Sequence, residues 1–252
     1  MRVINCVCGQ RLDGTSDTAL FAAYRVHSDE AHADLAIADE DIARVMVAAT
    51  RVTRWDGASK PVDGPVEIRA LTPDLAGDFL RFFDRDAFMD NPDWSGCYCL
   101  FYQYAGEDWN TTDAAEQNRA EKEALIVRGE AHGYLAYLDG TPVGWCHAAP
   151  RQSLPGLDRI PDFRCDSDPS TVGAIVCFNI AAPYRGQGLA PKLLDAACDG
   201  LRQQGFASAE AYPARQKLSD ARDYHGRLAM YLRAGFTIHR ESERFAVVRR
   251  SL

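Results

Sequence analysis

The chain has 252 residues, 46% hydrophobic and 25% charged, as in ordinary globular proteins, and its net charge of −8 without a basic block disfavours nucleic-acid binding. No apolar run is long enough to span a membrane, and the N-terminus lacks the apolar core of a signal peptide. We therefore expect a cytoplasmic protein whose eight cysteines are thiols or metal ligands rather than disulfides.

The first predicted unit is a small module over residues 1–56. It reads as a hairpin followed by two helices, the hairpin over residues 2–14 and the helices over residues 15–32 and 38–52. A linker at 57–65 follows, where Gly, Pro and small polar residues replace the hydrophobic periodicity. A module of this size is marginal on its own, which favours a metal or a partner surface.

Four metal-ligand side chains occur in this module. Cys6 and Cys8 fall on the hairpin, and His27 and His32 fall at the end of the first helix, a layout typical of a Cys2His2 zinc site. The stretch also resembles a small bacterial domain family of unknown function with the same Cys-x-Cys and His-x4-His pattern. We therefore predict zinc on these four residues. The alternative is a pair of buried thiols and two imidazoles on the helix surface.

The other cysteines have no ligand spacing of their own apart from one pair. Cys97 and Cys99 either complete a four-cysteine site with the thiols of the module or simply line a pocket. The isolated thiols are predicted to pack as small hydrophobic groups, and these are Cys146, Cys165, Cys177 and Cys198.

Residues 66–252 alternate between strand and helix patterns. The predicted elements are a strand at 66–72, helices at 73–87 and 112–129, a hairpin at 132–149, a strand at 172–180, a helix at 191–205, a strand at 206–214, a short helix at 225–236 and two closing strands at 236–242 and 244–252. The hairpin prediction rests on Asp139-Gly140, which favours a tight primed turn.

A glycine-rich turn, "YRGQGLA" at residues 184–190, precedes the 191–205 helix. Glycines at a helix N-terminus leave backbone N–H groups open to an anion such as a phosphate. A P-loop would need a Lys-Ser/Thr pair after Gly188, and a dinucleotide fingerprint would need a third glycine at Pro191. Neither pattern is present. The turn therefore holds a different phosphate ligand or none.

Two motifs in order narrow this choice. The first is Arg/Gln-x-x-Gly-x-Gly/Ala, at Arg185, Gly188 and Ala190, and the second is Tyr-x-x-x-Gly-Phe, at Tyr231, Gly235 and Phe236. In this order the chain resembles the GCN5-related N-acetyltransferase (GNAT) superfamily over residues 66–252. The resemblance implies an α/β (α+β) fold with a mixed, mostly antiparallel central sheet flanked by helices, preceded here by the hairpin-plus-helices module.

The resemblance also implies acetyl-CoA as the cosubstrate. Its diphosphate would lie on the turn formed by Arg185, Gly186, Gln187, Gly188, Leu189 and Ala190. Its pantetheine arm would pair like an added strand with the backbone of Phe178, Asn179 and Ile180. The physics agrees, because a side chain at either glycine would block the approach to the backbone N–H groups.

The implied reaction is direct acetyl transfer from the thioester to an amine. By the resemblance, Tyr231 donates a proton to the departing thiolate; its alternative role is packing on the apolar face of a short helix. The amine is mostly protonated at neutral pH, so a base must remove a proton. The candidates are Glu210 and His147, and in the family this base is commonly a Glu that acts through water. The alternative for each is a polar residue whose hydrogen bonds are satisfied at the end of the sheet.

The resemblance implies that the acceptor lies against the last hairpin and against the segment that follows the first strand. That segment carries aromatic and acidic residues, namely Trp94, Tyr98, Phe101, Tyr102, Tyr104 and Trp109 with Asp90, Asp93, Glu107 and Asp108. They would suit a cationic amine or form a core under a lid. We therefore expect an N-acetyltransferase acting on a small cationic or amino-acid-like amine. A CoA-binding sensor without catalysis, a protein or peptide N-acetyltransferase, and a homodimer stay open.

Overall fold

The structure is a computed structural model that describes residues 2–6, 8, 10–14, 17–39, 41–42, 56–104, 114–216 and 223–252. The chain divides into two units, Met1–Thr53 and Arg54–Leu252. Within these described ranges, no helix has the length and apolar character needed to cross a membrane.

The first unit is a hairpin packed on a helix. Strands β1 (Arg2–Asn5) and β2 (Arg11–Gly14) pair antiparallel, and helix α1 covers Asp17–Ala31. Gly14 permits a tight contact between β2 and α1, because a Cβ there would come within 2.4 Å of the Leu20 backbone nitrogen. A small apolar cluster fills the space between the elements, and it comprises Ile4, Cys6, Leu20, Tyr24 and Ile42. Most of the predicted second helix, 38–52, lies outside the described residues.

The second unit contains the remaining strands and helices. The strands are β3 (Val66–Ala70), β4 (Tyr134–Leu138), β5 (Thr141–Pro150), β6 (Val172–Ile180), β7 (Ser208–Ala211), β8 (Thr237–Glu241) and β9 (Ala246–Ser251). The helices are α2 (Ala76–Arg85), α3 (Ala115–Val127), α4 (Leu189–Gln203) and α5 (Leu228–Arg233). Short 3-10 turns occupy much of the predicted loop at 150–171.

The strands form a seven-stranded sheet in the order β3-β4-β5-β6-β7-β9-β8. Only β6 and β7 pair in parallel, so the predicted mixed, mostly antiparallel sheet is confirmed. The predicted hairpin turn is also present, with Asp139 at φ 49° and Gly140 at φ 71°, the positive angles that a primed turn requires.

Helices cover both faces of the sheet. On one face, α4 buries an apolar stripe at helical spacing, comprising Leu193, Leu194, Ala197 and Leu201. On the other face, Phe79 and Phe83 of α2 pack on Trp145 of β5 at ring distances of 4.9 and 6.3 Å. Successive residues of β5 point to opposite faces, so Trp145 belongs to one core cluster and Cys146 to the other.

Candidate active site

The glycine-rich turn has the backbone that its sequence predicts. Gly186 and Gly188 have φ angles of 76° and 82°, and Gly188 is the N-cap of α4. A Cβ built on either residue meets no other atom within 4 Å, so both glycines face open space. The first N–H groups of α4 have no partner within the helix. Together these features make an exposed donor surface with partial positive charge, suited to a phosphate.

Two side chains of the turn bond to the surrounding protein and not to the open space in front of the turn. Arg185 donates from Nε to the Ile180 carbonyl at 2.8 Å, and its guanidinium forms an ion pair with Asp90, with Nη2 2.9 Å from Oδ1. The Gln187 amide accepts from the Val62 N–H at 2.9 Å and donates to the Lys60 carbonyl at 2.7 Å. Both side chains therefore hold the turn in place, and the groups left for a ligand are mainly backbone N–H groups.

Strand β6 separates from β7 just before this turn. The parallel pairing ends at Ile175 opposite Ala211. The Ala181 N–H bonds to the Val143 carbonyl, and this register turns the polar backbone groups of Asn179 towards β5 and those of Phe178 and Ile180 away from it. The backbone groups of Asn179, which were predicted to pair with the cosubstrate, thus bond within the sheet. Those of Phe178 and Ile180 face the gap that opens between β6 and β7.

The gap is partly closed by the segment before α5. The Phe178 N–H donates to the Tyr224 carbonyl at 2.6 Å, which leaves the Phe178 carbonyl and the Ile180 N–H as the groups facing the gap. A strand-like ligand bonded to these two atoms would continue the sheet by β-augmentation.

A cleft of about 1120 Å³ joins the turn, the gap and the aromatic segment. Its wall contains most of the predicted cosubstrate residues, namely Phe178, Asn179, Ile180, Arg185, Gly186, Gly188, Leu189 and Ala190. The cleft is also lined by Cys97, Cys99 and Cys177, which agrees with the prediction of pocket-lining thiols for the first two.

The predicted catalytic side chains lie behind this wall. Tyr231 is fully buried, its hydroxyl donates to the His225 carbonyl at 2.7 Å, and burial raises its pKa well above the ordinary value. Glu210 is also fully buried; its Oε2 lies 2.5 Å from Arg249 Nε and its Oε1 accepts from the Tyr212 hydroxyl at 2.8 Å. Neither side chain is among the described residues that line the cleft.

His147 occupies a third buried position. Its Nδ1 lies 3.3 Å from the Cys99 sulfur, its Nε2 has no partner within the described part of the chain, and burial lowers its pKa. Burial opposes ionisation of the Cys99 thiol, but hydrogen bonding from Cys177 and the proximity of His147 outweigh it, so the pKa of Cys99 lies well below its ordinary value. The sequence does not link these two residues, because they are 48 positions apart.

A further buried contact, between Tyr102 and His225, was not predicted from the sequence. Tyr224 lines the cleft, with its ring 6.0 Å from Trp94 and 4.4 Å from His225. The Tyr102 hydroxyl lies 3.1 Å from His225 Nε2, and burial lowers the pKa of His225 to about 4, so this imidazole is neutral at pH 7. The available signal was the tripeptide Asp223-Tyr224-His225 just before α5, which has no characteristic spacing of its own.

The predicted aromatic segment divides between the cleft and the core. Trp94, Phe101 and Tyr102 line the cleft, whereas Tyr98 is buried with its hydroxyl on Asp84 at 2.7 Å. Of the acidic residues, Asp90 lines the cleft but is paired with an arginine, and Asp93 is exposed. Residues 105–113, which include the predicted Glu107, Asp108 and Trp109, lie outside the described residues.

In the first unit the four predicted metal ligands come together. The ligand atoms of Cys6, Cys8, His27 and His32 all lie within 4.8 Å of one another. Cys6 Sγ lies 3.2 Å from His32 Nε2, and Cys8 Sγ lies 3.3 Å from His27 Nε2. Burial opposes ionisation of Cys6, but hydrogen bonds from the Cys8 backbone N–H and from His27 outweigh it and lower the pKa to about 6. Two sulfurs and two imidazole nitrogens are the donor set of a structural zinc site.

Comparison with known proteins finds one family model and several solved structures. Residues 94–236 match the family model described as the acetyltransferase (GNAT) family. Similar solved structures include the PaiA N-acetyltransferase of Thermoplasma acidophilum in complex with coenzyme A, at 13% identity and TM-score 0.45, covering 75% of this chain and 100% of that one.

Two further solved structures are an acetyltransferase from Thermus thermophilus and the GNAT domain of S. lividans PAT. Their identities are 16% and 13%, and their TM-scores are 0.43 and 0.46. Each covers 75% of this chain, with 98% and 92% of their own lengths matched. Comparison with curated protein sequences finds no match.

Proposed function

This chain belongs to the GNAT family of acetyltransferases, and from that premise we propose that it transfers the acetyl group of acetyl-CoA to the primary amine of a small molecule. The main support for acetyl-CoA as the cosubstrate is that the glycine turn opens onto a cleft beside the point where β6 separates from β7. Backbone N–H groups from Gly186 to Ala190 would hold the diphosphate. The Phe178 carbonyl and the Ile180 N–H would hold the pantetheine arm.

The proposed chemistry is direct attack of the amine on the thioester. Holding both reactants in one cleft supplies much of the acceleration, because a bimolecular step becomes effectively unimolecular. Tyr231 is the proposed proton donor to the departing sulfur, as the family motif implies. To do so, its hydroxyl would give up its hydrogen bond to the His225 carbonyl and donate to that sulfur instead.

The base would act through an intermediary. Glu210 is held by Arg249 and Tyr212, and His147 lies beside Cys99, so neither side chain faces the cleft directly. Both stay candidates for removing the amine proton through a water chain.

The acceptor is proposed to be a small cationic or amino-acid-like amine. Support comes from the aromatic faces on the cleft wall, those of Trp94, Phe101, Tyr102 and Tyr224, which attract cations. The carboxylates of Asp90 and Asp223 are already paired with Arg185 and Arg227. Binding of the amine would therefore rest on the aromatic rings more than on the acidic side chains.

We also propose that the first unit holds a zinc ion with a structural role. The support is the convergence of two thiols and two imidazoles on one point. Cys6, Cys8, His27 and His32 would fill all four positions of a tetrahedral site and leave none for a substrate. In a unit with so small an apolar cluster, metal binding contributes directly to folding.

Release of CoA thiol across an amine panel tests the proposal. The panel would contain amino acids, polyamines, aminoglycosides and peptides, each with acetyl-CoA at a fixed concentration. A small amine that raises thiol release well above the hydrolysis background would support it. Activity on peptides alone would indicate a peptide N-acetyltransferase. Tight acetyl-CoA binding without turnover on any amine would indicate a sensor.

A further inference from the structure

Three thiols meet on one wall of the cleft. Cys97, Cys99 and Cys177 all line it, and the proximity of the Cys177 thiol favours ionisation of Cys99 by lowering its pKa. The Cys99 sulfur lies 3.3 Å from Nδ1 of His147. An imidazole at this distance can take the thiol proton, and a neighbouring donor stabilises the thiolate that results. Cys99 is therefore the nucleophile of the cluster.

The backbone holds Cys99 in this position against its intrinsic preference. Tyr98 and Cys99 have φ angles of 44° and 49°, in the left-handed region that residues with side chains rarely adopt. The Tyr98 ring stacks on Phe83 at 6.1 Å and its hydroxyl is held by Asp84. Packing thus keeps two consecutive buried residues in an unfavourable conformation, a pattern that clusters at functional sites.

The cluster lies where the sulfur of bound CoA would end. The turn lies after the C-terminal end of β6, and Cys177 directly precedes Phe178 on the same strand. If the diphosphate binds at Gly186–Ala190 and the arm follows Ile180 and Phe178, the CoA sulfur arrives beside Cys177 and Cys99. This placement rests on the proposed function.

We propose that Cys99 is a thiol–disulfide exchange site that takes a CoA moiety from CoA disulfide and is thereby linked covalently to CoA in the cleft. His147 takes the thiol proton, and the Cys99 thiolate attacks one sulfur of the CoA disulfide. A new S–S bond forms to that CoA as the original S–S bond breaks. The other CoA leaves as a thiolate and accepts the proton. Cys99 is oxidised, and the departing CoA sulfur is reduced.

The consequence is a reversible block of acetyl transfer. The attached CoA would occupy the site of acetyl-CoA, so the enzyme would stay inactive until a thiol reductant released it. The other cysteines are less suited to this reaction. Cys146 and Cys198 are buried in the core on the far face of β5, and burial raises the pKa of both thiols. Burial also raises the pKa of Cys97, to about 12.

The test compares CoA disulfide with oxidised glutathione on the full-length protein. Intact mass and peptide mapping should show one CoA per chain on Cys99, formed roughly 10-fold or more faster than the glutathione adduct because the cleft binds CoA. Dithiothreitol should remove the adduct and restore acetyl transfer. Cys99→Ser and Cys99→Ala should form no such adduct, whereas Cys165→Ser, at a surface thiol outside the cleft, should react like the wild type.

Three outcomes would overturn the inference. The first is equal rates for the two disulfides, and the second is a CoA adduct only at Cys8 or Cys165. The third is a Cys99–Cys177 disulfide in place of the CoA adduct. Calorimetry with S-methyl-CoA, which cannot exchange, separates this failure from that of the proposed function. If S-methyl-CoA binds the wild type but not Gly188→Val, and no Cys99 adduct forms, the inference fails while the proposed function stands. If S-methyl-CoA does not bind the wild type, both fail.

Discussion

The Tyr231 hydroxyl donates a 2.7 Å hydrogen bond to the backbone carbonyl of His225, whose imidazole in turn contacts the Tyr102 hydroxyl on the cleft wall. The predicted proton donor is thus connected to the cleft through one residue. This bond holds α5 against the segment that carries Tyr224. Loss of the hydroxyl therefore has a structural effect and a catalytic effect that can be measured separately.

Tyr231→Phe should lower turnover roughly 10²-fold or more if the hydroxyl is the general acid. It should also cost about 1 kcal/mol of unfolding free energy, because the buried His225 carbonyl loses its donor. Steady-state thiol release and urea unfolding measure the two effects. Tyr137→Phe removes the hydroxyl bond of another buried tyrosine, to Asp78, and serves as the control because neither residue lines the cleft. Equal loss of activity in both variants would return Tyr231 to a packing role.

Gly188→Val should weaken acetyl-CoA binding strongly. The new side chain would project into the open space in front of the turn and block access to the backbone N–H groups. Gly205→Val is the matched control, because Gly205 has a φ of 86°, equally open surroundings and no place on the cleft wall. Both variants carry similar backbone strain. Calorimetry showing comparable affinity in the two variants would contradict the assignment of the turn.

Purified protein should contain one zinc per chain. Chelation should loosen the first unit, while the second unit, which has its own extensive core, keeps its unfolding transition. Elemental analysis and calorimetric scans with and without a chelator provide the readout. Cys8→Ser should lose the metal, and Cys165→Ser should retain it. Protein free of metal but with an unchanged first unit would show that packing alone holds the unit together.

Asp166 should contribute stability that disappears in acid. Burial opposes its ionisation, but hydrogen bonds from His239 and Arg249 together outweigh this effect and hold the pKa well below its ordinary value. A depressed pKa stabilises the fold above the unfolded value of about 3.9 and loses that effect as the pH falls. The stability difference between wild type and Asp166→Asn should thus be present at pH 7 and shrink below about pH 4. Urea unfolding at several pH values measures it, with exposed Asp195→Asn as control; a pH-independent difference would contradict the linkage.

The local elements of the fold are readable from the sequence because their signals are short-range. Asp139-Gly140 predicts the β4–β5 turn, and apolar spacing with a glycine at Gly188 predicts α4 and its N-cap. The two glycines of the turn predict an open donor surface for the same reason. Each of these features depends on neighbouring residues only.

The buried contacts between Cys99 and His147 and between Tyr102 and His225 could not be predicted in the same way. Cys99 and His147 are 48 residues apart, and Tyr102 and His225 are 123 apart, so only the folded sheet brings each pair together. Their distances depend on register and on packing around Trp145 and Phe163, which no spacing in the sequence encodes. Tyr231 shows the converse case, because its motif is local but the partner of its hydroxyl is set by the backbone before α5.

The separation of β6 from β7 makes the sheet two half-sheets with a short seam. Strands β6 and β7 are joined by four residue pairs, Val172–Ile175 with Ser208–Ala211, and the backbone bonds from Ala207 to Thr171 and from Phe178 to Tyr224 flank these pairs. A ligand that bonds to Phe178 and Ile180 would extend along β6 beyond the point where its pairing with β7 ends, and would help to hold the two half-sheets together. Amide hydrogen exchange should then slow in β7–β9 when acetyl-CoA binds, although no residue of these three strands lines the cleft. The cosubstrate would then also act as a structural strand, and the cooperativity of unfolding would depend on its presence.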